Sequence, residues 1–344
     1  MAHGTDRQRR AFIGSFTAAG GPGIVTAAVA PESGALTVLS RVNGVPDPSY
    51  LALSPGGETL YAVSETAEGA VAAYRVGADR PEPTGPRVLV DGSGPTHLSL
   101  FQGHVLTANY GSGSVTAVPV RAGGGLARSA SGVLRHTGSG PQAPRQQSPH
   151  AHQVQPDPSG RWAVSVDLGT DSVRVCTLVD GALAVHREIA LRPGSGPRHL
   201  AFHPDGSRAY VVNELVPTVT VCRWDAGEGA LRPLTEIPVL PDVPTGDVFP
   251  SGVVASSDGR FVWTATRGAD VLSVFAVEGE GLRLTATVPC GGHWPRALTE
   301  ADGFLYAANE RSGNVTWFAV DERTGVPRRA GAVEVPAASC VVFG

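Results

Sequence analysis

The hydrophobic residues of this chain fall into short runs separated by turns that are rich in Gly, Pro and Asp. The clearest unit lies between Gly196 and Gly206, where a Pro-Arg step leads into an apolar run that ends in a Pro-Asp-Gly turn. A second apolar run follows at Ala209 to Glu214, and a third at Thr218 to Val221. Runs of β-branched and aromatic residues bounded by turn residues predict antiparallel β-strands.

The same unit recurs along the whole chain. Six prolines mark the start of its first strand: Pro48, Pro95, Pro149, Pro197, Pro250 and Pro295. The steps between them are 47, 54, 48, 53 and 45 residues, and 344 residues divided by a mean step of about 49 give seven units. A repeat of roughly 40 to 50 residues that holds several strands is typical of a β-propeller.

The two ends of the chain supply the seventh unit. The runs Phe12 to Phe16, Gly23 to Ala30 and Leu36 to Val42 correspond to its second, third and fourth strands, and Ser339 to Phe343 to its first. Pairing of the termini removes the open edges that an incomplete ring would expose. The pattern therefore predicts an all-β fold, a seven-bladed β-propeller with four-stranded antiparallel blades and a last blade closed by both chain termini. We expect a single domain over residues 1–344.

The strand order also predicts which residues meet at one end of the central channel, an end that we call the mouth. The turns between the first and second strands carry Gly or Asp at their tips, so antiparallel pairing brings the starts of the first strands and the ends of the second strands together at the opposite end. The first-strand positions are Ser49, Thr96, His150, Arg198, Ser251 and Arg296; the second-strand positions are Glu65, Tyr110, Asp167, Glu214, Arg267 and Glu310. Two long connections, Thr137 to Pro149 and Pro241 to Pro250, are expected to overhang the mouth as a lid.

Composition narrows the partners and the compartment. The balance of 27 Lys+Arg against 31 Asp+Glu, a net charge of -4, gives no electrostatic reason to expect a nucleic acid or an anionic membrane as partner. No apolar run approaches the roughly 18 residues of a membrane span, and the first ten residues do not resemble a secretory signal. The four cysteines form no CxxC pair and lie in or beside apolar strands, which predicts buried thiols: Cys176, Cys222, Cys290 and Cys340. We expect a cytoplasmic protein; the sequence leaves the oligomeric state open and is compatible with a monomer.

Several of these segments together resemble the seven-bladed lactonase family, nearly end to end. The segments are Gly196 to Gly206 with Tyr210 to Leu215, Pro149 to His152 with Asp167 to Gly169, Arg260-Phe261 with Thr266 to Gly268, and Phe12 to Phe16. That family contains propeller-type 6-phosphogluconolactonases and fungal carboxymuconate lactonising enzymes. The resemblance implies that a His, an Arg and a Glu from neighbouring blades are catalytic, at the positions of His150, Arg198 and Glu214. The chain departs from the family at Ser251-Gly252, where a Glu is common, and at Thr266, where an Asn is common.

The residue types at the mouth suit chemistry on an anion. A guanidinium such as that of Arg198 or Arg296 can bind a carboxylate or phosphate in a bidentate manner, although a salt bridge to Glu214 or Glu310 is the alternative. His150 and a histidine two residues later, His152, share one face of a strand. A histidine can act as general acid or base, whereas a metal pair would need a third ligand that no motif places.

We therefore expect a lactone hydrolase that acts on an anionic sugar lactone, with 6-phosphogluconolactone as the substrate that the resemblance implies. In this hypothesis Glu214 activates water, Arg198 holds the substrate anion and His150 protonates or stabilises the leaving oxygen; pairing with an arginine is the alternative role of Glu214. The expected substrate-binding residues are Arg267, Arg296, His152, Glu65, Glu310, Tyr110 and Asp167. No cofactor or metal is expected. A carboxymuconate-type lactonising cycloisomerase and a non-catalytic binding propeller remain as alternatives.

Overall fold

The computed structural model describes residues 9–77 and 79–344. Its strands form seven antiparallel sheets, which we number as blades 1 to 7. The first strands of neighbouring blades contact one another in a closed cycle, which makes these strands the wall of a central channel. The prediction of a seven-bladed β-propeller is therefore confirmed.

The strands of each blade are given in order from the channel outwards. Blade 1 contains Leu51–Leu53, Thr59–Ser64, Ala70–Arg75, and the two short pieces Glu82–Pro83 and Val88–Leu89. Blade 2 contains Pro95–Phe101, His104–Asn109, Ser114–Pro119 and Gly132–Arg135. Blade 3 contains Ala151–Pro156, Ala163–Asp167, Ser172–Val179 and Ala182–Ala190. Blade 4 contains Pro197–Phe202, Arg208–Asn213, Thr218–Asp225 and Ala230–Pro238.

The remaining three blades follow the same order. Blade 5 contains Phe249–Ala255, Phe261–Arg267, Val271–Glu278 and Gly281–Pro289. Blade 6 contains Pro295–Ala301, Phe304–Asn309, Asn314–Val320 and Pro327–Glu334. Blade 7 contains Ala338–Phe343, Arg10–Ser15, Ile24–Val29 and Leu36–Val42. A 3-10 turn, Thr17–Ala19, follows the second strand of blade 7.

Burial of the strands follows from the stacking of blades. Every residue of the second strand Phe261–Arg267 is buried, because neighbouring blades cover both of its faces. The outermost strand Leu36–Val42 instead alternates between less and more exposed residues, as expected for a strand with one face in solvent. Seven hydrophobic clusters lie between the blades, one at each interface, so the core is distributed around the ring.

Blade 7 is closed by the two ends of the chain, as predicted. The strand Arg10–Ser15 pairs antiparallel with Ala338–Phe343, in the register Ala11 with Phe343. The second strand begins at Arg10, two residues before the predicted start, because the backbone of Arg10 exchanges hydrogen bonds with that of Gly344. Pairing of the first and last strands closes the ring.

Blade 1 departs from the predicted four continuous strands. Its outer strand is split into Glu82–Pro83 and Val88–Leu89, both of which pair with Ala70–Arg75. Pro83 and Pro86 lie in and beside the gap, and a proline has no N–H to donate to the strand ladder. The break therefore lies at the edge of the blade, away from the channel.

Three asparagines recur at the end of second strands and hold the turn that follows. The Nδ2 atoms of Asn109, Asn213 and Asn309 donate to Thr116, Thr220 and Thr316 at 2.9, 2.9 and 3.1 Å. Blade 5 carries Thr266 at this position, and its buried hydroxyl has no partner among the described residues. These three asparagines are therefore structural hydrogen-bond donors.

This difference predicts unequal stability effects at equivalent positions. Asn213→Ala is expected to lower the free energy of unfolding by about 1–3 kcal/mol, because it leaves the buried hydroxyl of Thr220 and the partly buried hydroxyl of Thr218 without this donor. Thr266→Val removes an unpaired hydroxyl and is expected to be neutral or slightly stabilising. Urea unfolding of both variants measures the difference, and equal losses would contradict the proposed role of the asparagine.

Candidate active site

The mouth is built around one carboxylate that is shared by three arginines. Glu214 follows the second strand of blade 4, and its side chain is only 4% exposed. Its Oε1 accepts from Arg145 at 2.5 Å, and its Oε2 accepts from Arg267 at 2.6 Å. Arg198 Nε lies 3.1 Å from the same Oε2. The structure therefore brings Glu214, Arg198 and Arg267 together as the strand order predicted, and adds Arg145.

The charges around Glu214 dominate its ionisation. Burial alone would raise the pKa of this carboxyl, but the positive charges of Arg267, Arg198 and Arg145 lower it well below its usual range. Burial also lowers the pKa of Arg198, and the neighbouring charge of Arg267 acts in the same direction, while Glu214 opposes both. The carboxylate and the three guanidinium groups therefore depend on one another for their charged states.

A second ion cluster lies across the mouth, on blades 6 and 1. Arg296 is 3.2 Å from Glu310 and 3.5 Å from Glu65, and Glu65 also accepts a hydrogen bond from Ser49. Burial raises the pKa of Glu65, although Arg296 and the Ser49 hydroxyl act in the opposite direction. The salt-bridge alternative that the sequence left open for Arg296 is present here.

The two clusters make the mouth electrostatically uneven. The cluster around Glu214 has three arginines against one glutamate, an excess of two positive charges. The cluster around Arg296 has one arginine against two glutamates, an excess of one negative charge. An anionic group is therefore favoured at the first cluster, while hydroxyl groups of a ligand can donate hydrogen bonds to the carboxylates of the second.

His150 lies beside the first cluster with one ring nitrogen already engaged. Its Nδ1 donates to the backbone carbonyl of Tyr110 at 2.8 Å, and its ring stacks on that of Tyr110 with centroids 4.4 Å apart. The Tyr110 hydroxyl accepts from Arg145 at 3.3 Å, so this tyrosine connects His150 to the cluster around Glu214. With Nδ1 donating, the neutral ring presents the lone pair of Nε2.

Asp167 has a different role from the predicted contact with substrate. Its side chain is fully buried. Oδ2 accepts from His136 at 2.6 Å, and Oδ1 accepts from the backbone N–H groups of His150, Gly169 and Thr170 at 2.9 to 3.1 Å. Because both oxygens are occupied inside the protein, Asp167 fixes the backbone of His150 and is not free to bind substrate.

His152 belongs to a buried group of rings below the mouth. Its ring lies 5.1 Å from that of His199, which in turn lies 5.5 Å from that of His97. Burial, reinforced by the charge of Arg198, lowers the pKa of all three histidines, to about 3 for His97. These rings are therefore neutral, and contact between His152 and substrate stays a prediction.

Aromatic side chains form one wall of the mouth beside Arg267. The guanidinium of Arg267 lies 5.5 Å from the ring centroid of Trp294 and 5.9 Å from that of Phe249. Trp294 has a φ of 67°, a rare conformation for a bulky residue, and its backbone N–H donates to Oδ1 of Asp270 at 2.8 Å. Backbone strain of this kind clusters at functional sites, which is consistent with the place of Trp294 in the wall of the mouth.

The departure from the family at Ser251-Gly252 has a packing explanation. The carbonyl of Ser251 accepts from Arg198 Nη1 at 2.5 Å and thereby helps to hold this arginine at the mouth. A Cβ atom at Gly252 would lie 3.0 Å from the backbone nitrogen of Leu298 in the next blade. The close approach of the two first strands therefore favours glycine here.

Sequence reasoning missed Arg145, which lies on the long connection between blades 2 and 3. No motif surrounds this arginine, and the only available signal was the predicted overhang of residues 137–149 above the mouth. The contact of Arg145 with Glu214 confirms that this connection reaches the mouth. The second predicted lid segment contributes Phe249 to the aromatic wall.

Two cavities of the described residues are lined by side chains other than those of the two ion clusters at the mouth. A groove of about 830 Å³ lies between blades 1 and 2 at the end opposite the mouth, lined by Glu58 and Arg75 among mostly small or apolar residues. A second cavity of about 460 Å³ occupies the channel and is reached by Tyr50 and His199. Within residues 9–77 and 79–344, no three His, Cys, Asp or Glu side chains converge to hold a metal ion, and no helix is long and apolar enough to cross a membrane.

Comparison with known proteins agrees with this arrangement. Residues 10–343 match the model of the family described as lactonase, 7-bladed beta-propeller. A protein of Bacillus subtilis named 6-phosphogluconolactonase is 35% identical over 342 residues, which cover 96% of this chain and 97% of that protein.

Two solved structures are similar over nearly the whole chain. The periplasmic gluconolactonase of Pseudomonas aeruginosa is 31% identical, with a TM-score of 0.90 over 97% of this chain and 98% of that one. A Bacteroides fragilis protein, described as a candidate 6-phosphogluconolactonase, is 28% identical with a TM-score of 0.92 over the full length of both chains. The expected resemblance and the expected lactone-hydrolysing enzyme are confirmed by these matches, and the chain belongs to the seven-bladed β-propeller lactonase family.

Proposed function

We propose that the protein hydrolyses the lactone of an anionic sugar acid, with 6-phosphogluconolactone as its substrate. The observation that carries this proposal is the excess of two positive charges around Glu214, directly beside His150, whose Nε2 makes no hydrogen bond to the described residues. Such a site binds the anionic end of a substrate and can move a proton at its reacting end.

His150 is the proton acceptor in this mechanism. Its Nε2 takes a proton from a water molecule while the water oxygen attacks the lactone carbonyl carbon. The ring C–O bond then breaks, and the same imidazolium returns the proton to the departing ring oxygen. Water adds across the bond, so the product is the open hydroxy acid and His150 ends the cycle unchanged.

Glu214 takes the alternative role of arginine partner rather than that of the base. Three guanidinium groups stabilise its charged form, and a carboxylate whose pKa is held this low is a weak proton acceptor. It instead fixes the guanidinium groups of Arg198 and Arg267 at the mouth, where they stabilise negative charge that develops on the carbonyl oxygen. This assignment retains the three residues that the sequence placed in the site.

The named relatives support the reaction and leave the substrate to be tested. One is named a 6-phosphogluconolactonase and another a gluconolactonase, so the names differ in whether the sugar carries a phosphate. The excess positive charge of the cluster around Glu214 favours the phosphorylated sugar. The cytoplasmic location expected from the sequence remains a prediction, and the gluconolactonase is named as periplasmic.

The test is hydrolysis of freshly prepared 6-phosphogluconolactone, followed through the 6-phosphogluconate formed. We expect the purified protein to accelerate the reaction in proportion to its concentration, above the spontaneous rate in the same buffer. Carboxymuconate is offered in parallel. Turnover of carboxymuconate alone would support the cycloisomerase alternative, and no turnover of either compound would contradict the proposed function.

A further inference from the structure

We propose that Arg145 binds the phosphate of the substrate and thereby makes the enzyme prefer a phosphorylated lactone over the unphosphorylated one. This inference rests on the proposed function, because it assigns a substrate group to the same mouth. It concerns a residue on a connection between blades, outside the strands that form the propeller.

Arg145 retains most of its hydrogen-bonding capacity. A guanidinium has five N–H donors. Only Nη2 of Arg145 is engaged, by Glu214 at 2.5 Å and by the Tyr110 hydroxyl at 3.3 Å. The Nε and Nη1 donors make no hydrogen bond to the part of the chain that the structure describes. Three donors are therefore available for the oxygens of a phosphate, which accept charge-assisted hydrogen bonds.

Arg145 is also the accessible arginine of its cluster. Its side chain is 38% exposed, whereas those of Arg198 and Arg267 are 2% and 8% exposed. A ligand that enters from solvent therefore meets Arg145 first. The cluster carries an excess of two positive charges, and a phosphate monoester brings about -1.5 to -2 at neutral pH. The charge of the ligand thus matches that of the site.

The connection that carries Arg145 is anchored immediately beside it. Gln146 is fully buried, and its side-chain amide nitrogen Nε2 donates to the Leu168 carbonyl at 2.8 Å and to Asp171 at 2.7 Å. Asp171 also accepts from the backbone N–H of Gly196, two residues before Arg198. One carboxylate therefore fixes the segments that carry both arginines, which limits the entropy lost when an anion binds.

The location of Arg145 suits a substrate with its anion at one end and its reacting carbonyl at the other. The Tyr110 side chain contacts Arg145 through its hydroxyl and stacks on His150 through its ring. A phosphate at Arg145 therefore leaves the lactone end on the side of the proposed proton acceptor. An unphosphorylated lactone can occupy the same position without a group for Arg145 to bind.

The test compares two lactones and two variants. Arg145→Ala is expected to reduce kcat/KM for 6-phosphogluconolactone by about 10- to 100-fold, the range for a lost charge-assisted interaction, mainly through KM. For glucono-1,5-lactone the expected change is less than about threefold, since that substrate lacks the group that Arg145 binds. Arg145→Lys keeps the charge but lacks the planar guanidinium, so its kcat/KM for 6-phosphogluconolactone should lie between those of wild type and Arg145→Ala. Arg187→Ala, at an exposed ion pair on the outer edge of blade 3, is the matched control and should leave both substrates unchanged.

Binding of 6-phosphogluconate, measured by calorimetry, separates this inference from the proposed function. If Arg145→Ala binds 6-phosphogluconate about 10- to 100-fold more weakly than wild type does, the result supports the phosphate contact even if neither lactone is hydrolysed. Two results would overturn the assignment of Arg145: an equal reduction of kcat/KM for the two lactones, or binding of 6-phosphogluconate that Arg145→Ala leaves unchanged.

Discussion

Replacing Glu214 by glutamine is expected to lower the free energy of unfolding by about 3–5 kcal/mol and to abolish most lactonase activity. The carboxylate is almost fully buried and is the shared partner of Arg145, Arg198 and Arg267. Removing one partner of a buried ion pair leaves uncompensated charge in a low-dielectric site, which is among the most destabilising single changes. Urea unfolding and steady-state kinetics measure the two effects.

Glu310→Gln is the matched control for this substitution. Glu310 also pairs with an arginine of the mouth, Arg296, but it is 23% exposed, and Glu65 remains as a second partner of that arginine. We expect the free energy of unfolding to fall by about 1 kcal/mol or less, as is typical for partly exposed ion pairs. If the two substitutions destabilised the protein equally, Glu214 would not be the centre of the charge arrangement described here.

The pH dependence of stability, compared between wild type and Glu214→Gln, supplies an independent check. The arginines hold the pKa of Glu214 in the folded protein below its usual value of 4.5. Its contribution to stability is therefore complete above about pH 4.5 and is lost as the pH falls towards the folded-state value. The stability difference between wild type and Glu214→Gln should shrink when the pH is lowered from 7 to 3. A difference that grows on acidification would contradict the sign of the pKa shift.

Replacing His150 by alanine is expected to reduce kcat by about 10²- to 10⁴-fold, with a smaller change in KM. General acid–base groups typically contribute rate factors of this size, and Nε2 of His150 is the proposed proton acceptor. Since Arg145, the proposed phosphate-binding residue, remains in place together with the other arginines of its cluster, substrate affinity should be largely retained. Added imidazole is expected to restore part of the rate by occupying the space that the side chain leaves.

His186→Ala is the control, because this histidine is exposed on the outer strand of blade 3, where it stacks on Trp162. Its kinetic constants should equal those of wild type. A His150→Ala enzyme that keeps its kcat would rule out His150 as the base. In that case Glu214, the base expected from the sequence, would return as the candidate in spite of its low pKa.

The propeller could be predicted from the sequence because each strand is coded locally. Alternating apolar residues, turn tips such as Gly206 with its φ of 70°, and a repeated proline fix the strands, and antiparallel pairing then fixes the end at which His150 and Glu214 lie. The closing of blade 7 followed from the same pattern, because its four strands account for both ends of the chain.

The contacts of individual side chains could not be predicted in the same way. Asp167 ends the second strand of blade 3 at the position that Asn213 holds in blade 4, one residue before the position of Glu214. Asp167 bonds to backbone N–H groups and His136, whereas Glu214 bonds to arginines. The difference depends on residues distant in sequence, as does the arrival of Arg145 from a connection without regular structure. Strand periodicity carries no information about such partners, so the positions were predicted better than the roles.

The central claim is that the mouth, where Arg145 contacts the hydroxyl of Tyr110 and His150 stacks on its ring, binds the anionic sugar acid. A crystal structure of the wild-type protein with 6-phosphogluconate, the product of the proposed reaction, tests it most directly. The account predicts the phosphate within hydrogen-bond distance of Arg145 and the carboxylate beside His150 Nε2. Product bound instead in the groove between blades 1 and 2, near Glu58 and Arg75, would contradict it.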